Sequence, residues 1–195
     1  MSASVVNPVE QAVTNLLFKY NHHLFRYIND FMGLKSLPDI ATLNVYPNGK
    51  EITESAAAFW AAWKYLDFDI GDPDVHLVAV GDGRTPRTGV MFAFRTRWSC
   101  ISIDPMLKPV YGVKRLTCIT SRVEDIDYEF DNVIIAAVHS HAQMPEILKH
   151  IRGKTRRAMI AIPCCVAYNH IPPDKEYIDH AIWSPRNTVK IWRNI

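Results

Sequence analysis

Long hydrophobic runs are missing from this chain of 195 residues. No stretch approaches the roughly twenty uninterrupted apolar residues that a membrane-spanning helix needs, and the opening MSASVVNPVEQ has no basic region followed by an apolar one. The expectation is a soluble, cytoplasmic protein with no membrane partner. A dominant charge is missing too. The formal net charge is +2, so bulk electrostatics do not single out nucleic acid as a partner. Cysteine is scarce: Cys100, Cys118, Cys164 and Cys165 show neither the spacing of a disulfide framework nor the paired CxxC of a zinc site, and they are expected to be reduced core residues. Internal repeats and low-complexity tracts are also lacking. What is present in quantity is apolar side chain, 48% of the total, enough for one substantial core.

The apolar residues fall into two regimes. From Pro8 to Met32 they recur every three or four positions, which predicts one long amphipathic helix stopped at Gly33. NVYPNGK at 44–50 reads as a short extended piece entering a turn, and Thr53 to Tyr65 as a second helix, with Trp60 and Trp63 expected in the core. Gly71, Asp72, Pro73 and Asp74 break this pattern. The break divides the chain into a helical N-terminal cap, 1–70, packed on a main domain, 71–195.

The main domain alternates strand and crossover. Val75 to Val80 is a short, β-branched run suited to a strand buried on both faces. Gly81 and Gly83 follow, permitting a sharp turn and close approach of a ligand to bare backbone. Helical spacing resumes from Thr88 to Arg95, and a second strand, Trp98 to Ile103, ends in Asp104. Further strands are predicted at Leu116 to Thr120, Asn132 to Val138 and Arg157 to Ile162, with a helix from near Pro145 to near Gly153. Tyr177 to Trp183 and Thr188 to Trp192 flank SPRN as an antiparallel hairpin at one edge. Such alternation implies a mostly parallel sheet with right-handed connections, helices on both faces and ligands bound beyond the carboxyl ends of the strands. Gly81, Gly83, Asp104, Glu124, Asp125, His139 and His141 all fall at those ends. An acid about twenty residues beyond a glycine turn is where a Rossmann-type unit places its acceptor for ribose hydroxyls.

This order of elements, over roughly Val75 to Ile195, resembles the class I S-adenosylmethionine-dependent methyltransferase superfamily, a Rossmann-like fold with an antiparallel last strand. The resemblance implies that Gly81 and Gly83 lie under the methionine moiety of S-adenosylmethionine and that Asp104 holds the ribose. It further implies that Glu124 or Asp125 faces the adenine amino group, and that 138–142 lines the place of methyl transfer. The glycine motif is divergent: Ala79 stands where an acid is common and Thr85 replaces the third glycine. Asp82 is the available substitute for the contact to the cofactor's ammonium group.

Two clusters admit other chemistry. Arg84 and Arg87, flanking Thr85 and Thr88 at a helix start, suit a phosphate, as would serve a nucleotide-binding or phosphate-binding enzyme; alternatively Thr85 or Asp82 caps the helix and the arginines are solvated. His139 and His141, two apart on a strand, are expected on one face. There they could cap the next helix, act as a general base, or ligate a metal with His170, Asp174 or Cys164. His170, in the loop NHIPP, is a candidate substrate contact. Three functions follow: a methyltransferase acting on an unidentified acceptor such as RNA or protein, a non-catalytic binding or assembly module that keeps the fold, and a phosphate-binding enzyme.

Overall fold

The computed structural model describes residues 23–195. The helical expectation for Pro8 to Met32 therefore falls largely outside the described residues; what is described of it is helix α1 (Arg26–Met32), which ends at Gly33. Helix α2 (Leu37–Thr42) follows, then α3 (Gly49–Tyr65), which starts four residues earlier than the sequence suggested. The reason is Asn48, whose side chain accepts the Glu51 N–H at 3.2 Å and so satisfies one of the free donors of the first turn.

The sheet is built from β1 (Val75–Val80), β2 (Ser99–Ile103), β3 (Leu116–Ile119), β4 (Tyr128–Val138), β5 (Ile151–Ile162), β6 (Lys175–Ile178) and β7 (Thr188–Trp192). Helix α4 (Arg87–Arg95) connects β1 to β2, and α5 (Met144–His150) connects β4 to β5. The strand order is β3-β2-β1-β4-β5-β7-β6. Pairing is parallel from β3 to β5, while β7 runs antiparallel between β5 and β6. This is the Rossmann-like α/β architecture the alternation implied. The chain order reverses direction between β1 and β4, which opens the switch point where such sheets bind ligands.

Each strand sends alternate side chains to two cores. On one face Leu77, Cys100, Ile134 and Ile160 meet the alanine-rich side of α3 (Ala57, Ala58, Ala61) and Val90 and Phe92 of α4. On the other, Val78, Ile101, Ile135 and Met159 meet Met144 and Ile147 of α5. The first core also takes in Tyr27 and Phe31 of α1, so cap and sheet share one apolar interior. Each fully buried Leu or Ile in it contributes on the order of 1.5–3 kcal/mol.

Three expectations are corrected. Trp63 is exposed, because small alanines rather than tryptophans let α3 approach the sheet closely. Strands β4 and β5 are longer than their apolar runs, extending back to Tyr128 and Ile151, so Gly153 lies in β5 and not at a helix end. From Phe130 to Asn132 the partner advances from Gly153 to Arg156, one extra residue in β5 and hence a bulge. The basic residues Arg152, Lys154, Arg156 and Arg157 therefore sit on a strand. There Arg156 donates to the carbonyls of Leu66 and Asp67 at the end of α3 while stacking on Phe68, and Arg157 donates to those of Leu148, Ile151 and Ile195.

Candidate functional site at the carboxyl ends of the strands

The chain leaves β1 through Gly81 (φ +69°) and Gly83 (φ +78°), left-handed conformations that favour glycine. Gly81 N–H donates to Ile103 O at 2.7 Å, which ties the turn to the end of β2. A Cβ at Gly81 would stand 2.3 Å from Ser140 Oγ, so the missing side chain also lets the end of β4 close on the turn.

Asp82, buried between these glycines, turns inward. Its Oδ1 accepts Thr88 N–H at 2.9 Å, and its Oδ2 accepts Gly89 N–H at 3.0 Å and Ser102 Oγ–H at 2.8 Å. Burial lifts its carboxyl to about 6 against the pull of these donors. Both oxygens are committed, to the first N–H groups of α4 and to Ser102, so Asp82 acts as the helix's cap. Thr85 is likewise committed, donating its hydroxyl to Val45 O at 2.8 Å. Arg84 is exposed, whereas Arg87 turns inward over Gly83: a Cβ at Gly83 would meet only the Arg87 guanidinium.

Asp104 stands at the tip of β2, half-buried. Its Oδ2 accepts Gly83 N–H at 3.0 Å and its Oδ1 accepts Met106 N–H at 2.7 Å, while its own N–H reaches Ile119 O at the end of β3. The glycine turn and this carboxylate thus meet. Glu124 and Asp125 lie exposed on a single 3-10 turn (Val123–Asp125) after β3, and His170 is exposed in the loop after β5.

The first turns of α3 add groups that the sequence reading did not place here. Glu51 pairs with Arg87, and Arg87 also donates to Asp82 O at 3.2 Å. Glu54, whose side chain is 2% exposed, receives Lys50 Nζ at 2.9 Å and lies 2.8 Å from His139 Nε2. Burial pushes the Glu54 carboxyl up, but His139 and Lys50 outweigh it and hold the group below the ordinary carboxylate range. Burial lowers the Arg87 guanidinium. A cavity of about 100 Å³ lies among Lys50, Glu51, Glu54, Asp82, Arg87 and His139. A larger one, about 880 Å³, is lined by α1, α3 and the β6 edge, including Tyr27, Trp60, Lys64, Tyr177 and Asp179, and shares none of the strand-end residues.

The two histidines separate. The strand ends at Val138 and His139 takes a left-handed φ of +52°, so the period-two rule that would align His139 with His141 does not apply. His139 goes to Glu54; His141 goes to Cys164 and Cys165, with ligand atoms of all three within 4.8 Å of one another. Those cysteines are therefore not core: Cys165 is exposed and Cys164 half-buried at the end of β5. Asp174 is not part of this group, since its Oδ2 accepts Arg193 N–H at 2.6 Å.

No family model matches the chain, and no curated protein sequence does. Among solved structures it is similar to MtNAS in complex with MTA and tNA, at 14% identity and a TM-score of 0.51, covering 95% of this chain and 76% of that one. Weaker likenesses are to a mutant of MtNAS in complex with S-adenosylmethionine (18% identity, TM-score 0.43, 93% and 74% covered). A cyclopropane-fatty-acyl-phospholipid synthase-like protein from Lactobacillus casei ATCC 334 follows (15%, 0.40, 65% and 56%). The first of these agrees with the topology in showing a Rossmann-like α/β fold.

Proposed function

We propose that the chain binds S-adenosylmethionine across the carboxyl ends of β1, β2 and β4 and transfers its methyl group to an acceptor hydroxyl or amine. The observation that carries this reading is the meeting of the bare turn Gly81–Gly83 with the Asp104 carboxylate. Each Asp104 oxygen accepts one backbone N–H and retains a lone pair, which leaves room for two ribose hydroxyls. The methionine end of the ligand suits the charges beside the turn. Arg87 offers a fork for the α-carboxylate, and Glu51 and Glu54 offer acids for the α-ammonium. Admission of that end requires Arg87 to exchange its bond to Glu51 for one to the ligand, since the present cavity is far smaller than the roughly 300 Å³ of a ligand pocket. The neighbouring structure that holds MTA lends this reading support.

The sulfonium, when bound, supplies an activated methyl group. The chain's own part is to hold the acceptor in line and to take its proton, and His139 is the group for this. Glu54 Oε1 lies 2.8 Å from its Nε2, a carboxylate placed to favour the ring once it has taken the proton. The phosphate-binding reading is weaker, because Arg84 is exposed and Arg87 is already neutralised by Glu51.

Calorimetric titration with S-adenosylmethionine, S-adenosylhomocysteine and ATP tests the proposal. The first two should bind and ATP should not. Asp104→Ala should weaken binding by about tenfold to a hundredfold, the worth of two hydrogen bonds. Tight ATP binding, or no binding of either adenosyl ligand, overturns it; the latter would leave the non-catalytic module.

A further inference from the structure

We infer that His141, Cys164 and Cys165 form a binding site for a zinc-class divalent metal ion, with the fourth position open to water. Their three ligand atoms lie within 4.8 Å of one another, and the two sulfurs are 3.5 Å apart. Tetrahedral coordination with Zn–S bonds of about 2.3 Å places two thiolates about 3.8 Å apart, so the sulfurs need only small adjustment. At this distance they are free thiols, since a disulfide requires about 2.05 Å. Neighbouring residues on a regular strand point to opposite faces; here the bends at 164–166, just past the end of β5, bring both thiols to one side.

The two loops that carry these ligands are pinned to each other. Tyr168, itself buried, donates its hydroxyl to Ser140 O at 3.3 Å and Ala142 O at 3.0 Å, gripping the backbone on both sides of His141. The Cys164 thiol approaches His139 O at 3.5 Å. Lys190 Nζ holds the Ala167 carbonyl and the Asn169 side chain at 3.0 and 2.6 Å. Such supporting contacts reduce the ordering that a metal would otherwise impose. The donor set of two sulfurs and one imidazole, with no carboxylate in the group, selects zinc-like ions over magnesium or calcium. Binding converts two thiols to thiolates and releases their protons to solvent, so affinity should rise with pH. His141 and Cys165 are exposed, so the fourth position faces water. This site stands whether or not the adenosyl ligand binds, because it shares no residue with the glycine turn, Asp104 or Glu54.

The test is a titration of the reduced full-length chain with Co²⁺ under anaerobic conditions, followed by Zn²⁺. Expected are a thiolate-to-cobalt charge-transfer band and tetrahedral ligand-field bands that saturate at about one equivalent with release of about two protons, and that Zn²⁺ then abolishes by displacing the cobalt. Cys165→Ser and His141→Ala each should weaken Co²⁺ binding about tenfold or more, while Cys118→Ser should not. Circular dichroism of the exposed-site variants checks that they fold, and these two decide the matter if Cys164→Ser does not. Absence of the charge-transfer band, or its persistence in Cys165→Ser and His141→Ala, overturns the inference.

Discussion

Replacing Asp82 by Ala tests whether this acid is a structural cap or a ligand contact. The side chain accepts two backbone N–H groups, from Thr88 and Gly89, and the hydroxyl of Ser102, all at buried positions. Removal leaves three buried donors without a partner. Each such loss costs about 1–3 kcal/mol, and water entering the vacated space recovers some of it, as does relief from burying a carboxylate. A net destabilisation of about 3–5 kcal/mol follows, large beside a total stability on the order of 5–15 kcal/mol. With a urea dependence of about 2 kcal/mol per molar, the midpoint should fall by about 1.5–2.5 M. Asp82→Asn should fall less, because one oxygen remains to accept Thr88 N–H. If Asp82→Ala moves the midpoint by less than about 0.5 M while lowering affinity for S-adenosylmethionine, Asp82 serves the ligand and the capping argument is wrong.

Gly81→Ala should destabilise by about 2–4 kcal/mol in thermal melts, combining a left-handed φ with a Cβ set against Ser140; adding Ser140→Gly should restore the packing part only. Glu54→Gln should alter the pH profile. Because the native carboxyl is held below the ordinary range, its stabilising contribution is present above that range and is lost as pH falls through the lowered native value. The stability gap between wild type and Glu54→Gln should therefore shrink on acidification below about pH 4, and an unchanged gap would refute the pairing. Arg87→Ala should weaken S-adenosylhomocysteine binding by about tenfold and leave methylthioadenosine, which has no amino-acid end, unaffected; equal losses for both would place Arg87 elsewhere.

What the sequence disclosed is what depends on local pattern. The run 75–80 is strand β1 from end to end, the glycines after it take positive φ, and the acid about twenty residues on touches the turn, because strand, turn and strand are consecutive. Charges brought from a distance stayed hidden. Lys50 fell in the segment read as entering a turn, Glu51 outside any assigned element and Glu54 in the first turn of the helix, and no periodicity in KEITE reveals that these residues lie beside the end of β4. Asn48, an ordinary N-cap residue, was the one signal that would have moved the helix start upstream and put these side chains on it. Likewise the two histidines could not be parted from spacing alone, since a single left-handed residue, His139, redirects them. Cys164 and Cys165 looked like core because they follow an apolar strand, but the strand stops before them.

On the proposed reading, the absence of an acid two positions before Gly81 has a physical counterpart. The position two before Gly81 is Ala79, fully buried, and an acid there would enter the sheet interior. In its place α3 delivers Glu51 and Glu54 from the other side of the cleft, and α4 delivers Arg87 above Gly83. An acid on the strand would be fixed and would leave the turn bare, whereas an acid on the cap must be paired when no ligand is present, or a charge would be left part-buried and alone. Arg87 and Lys50 meet that demand for Glu51 and Glu54. On the proposed reading the pair is then a gate as well as a recognition element. A zwitterion can replace both of its halves at once, while a ligand bearing only phosphate can satisfy Arg87 only by leaving Glu51 to Lys50 alone, 3.1 Å away.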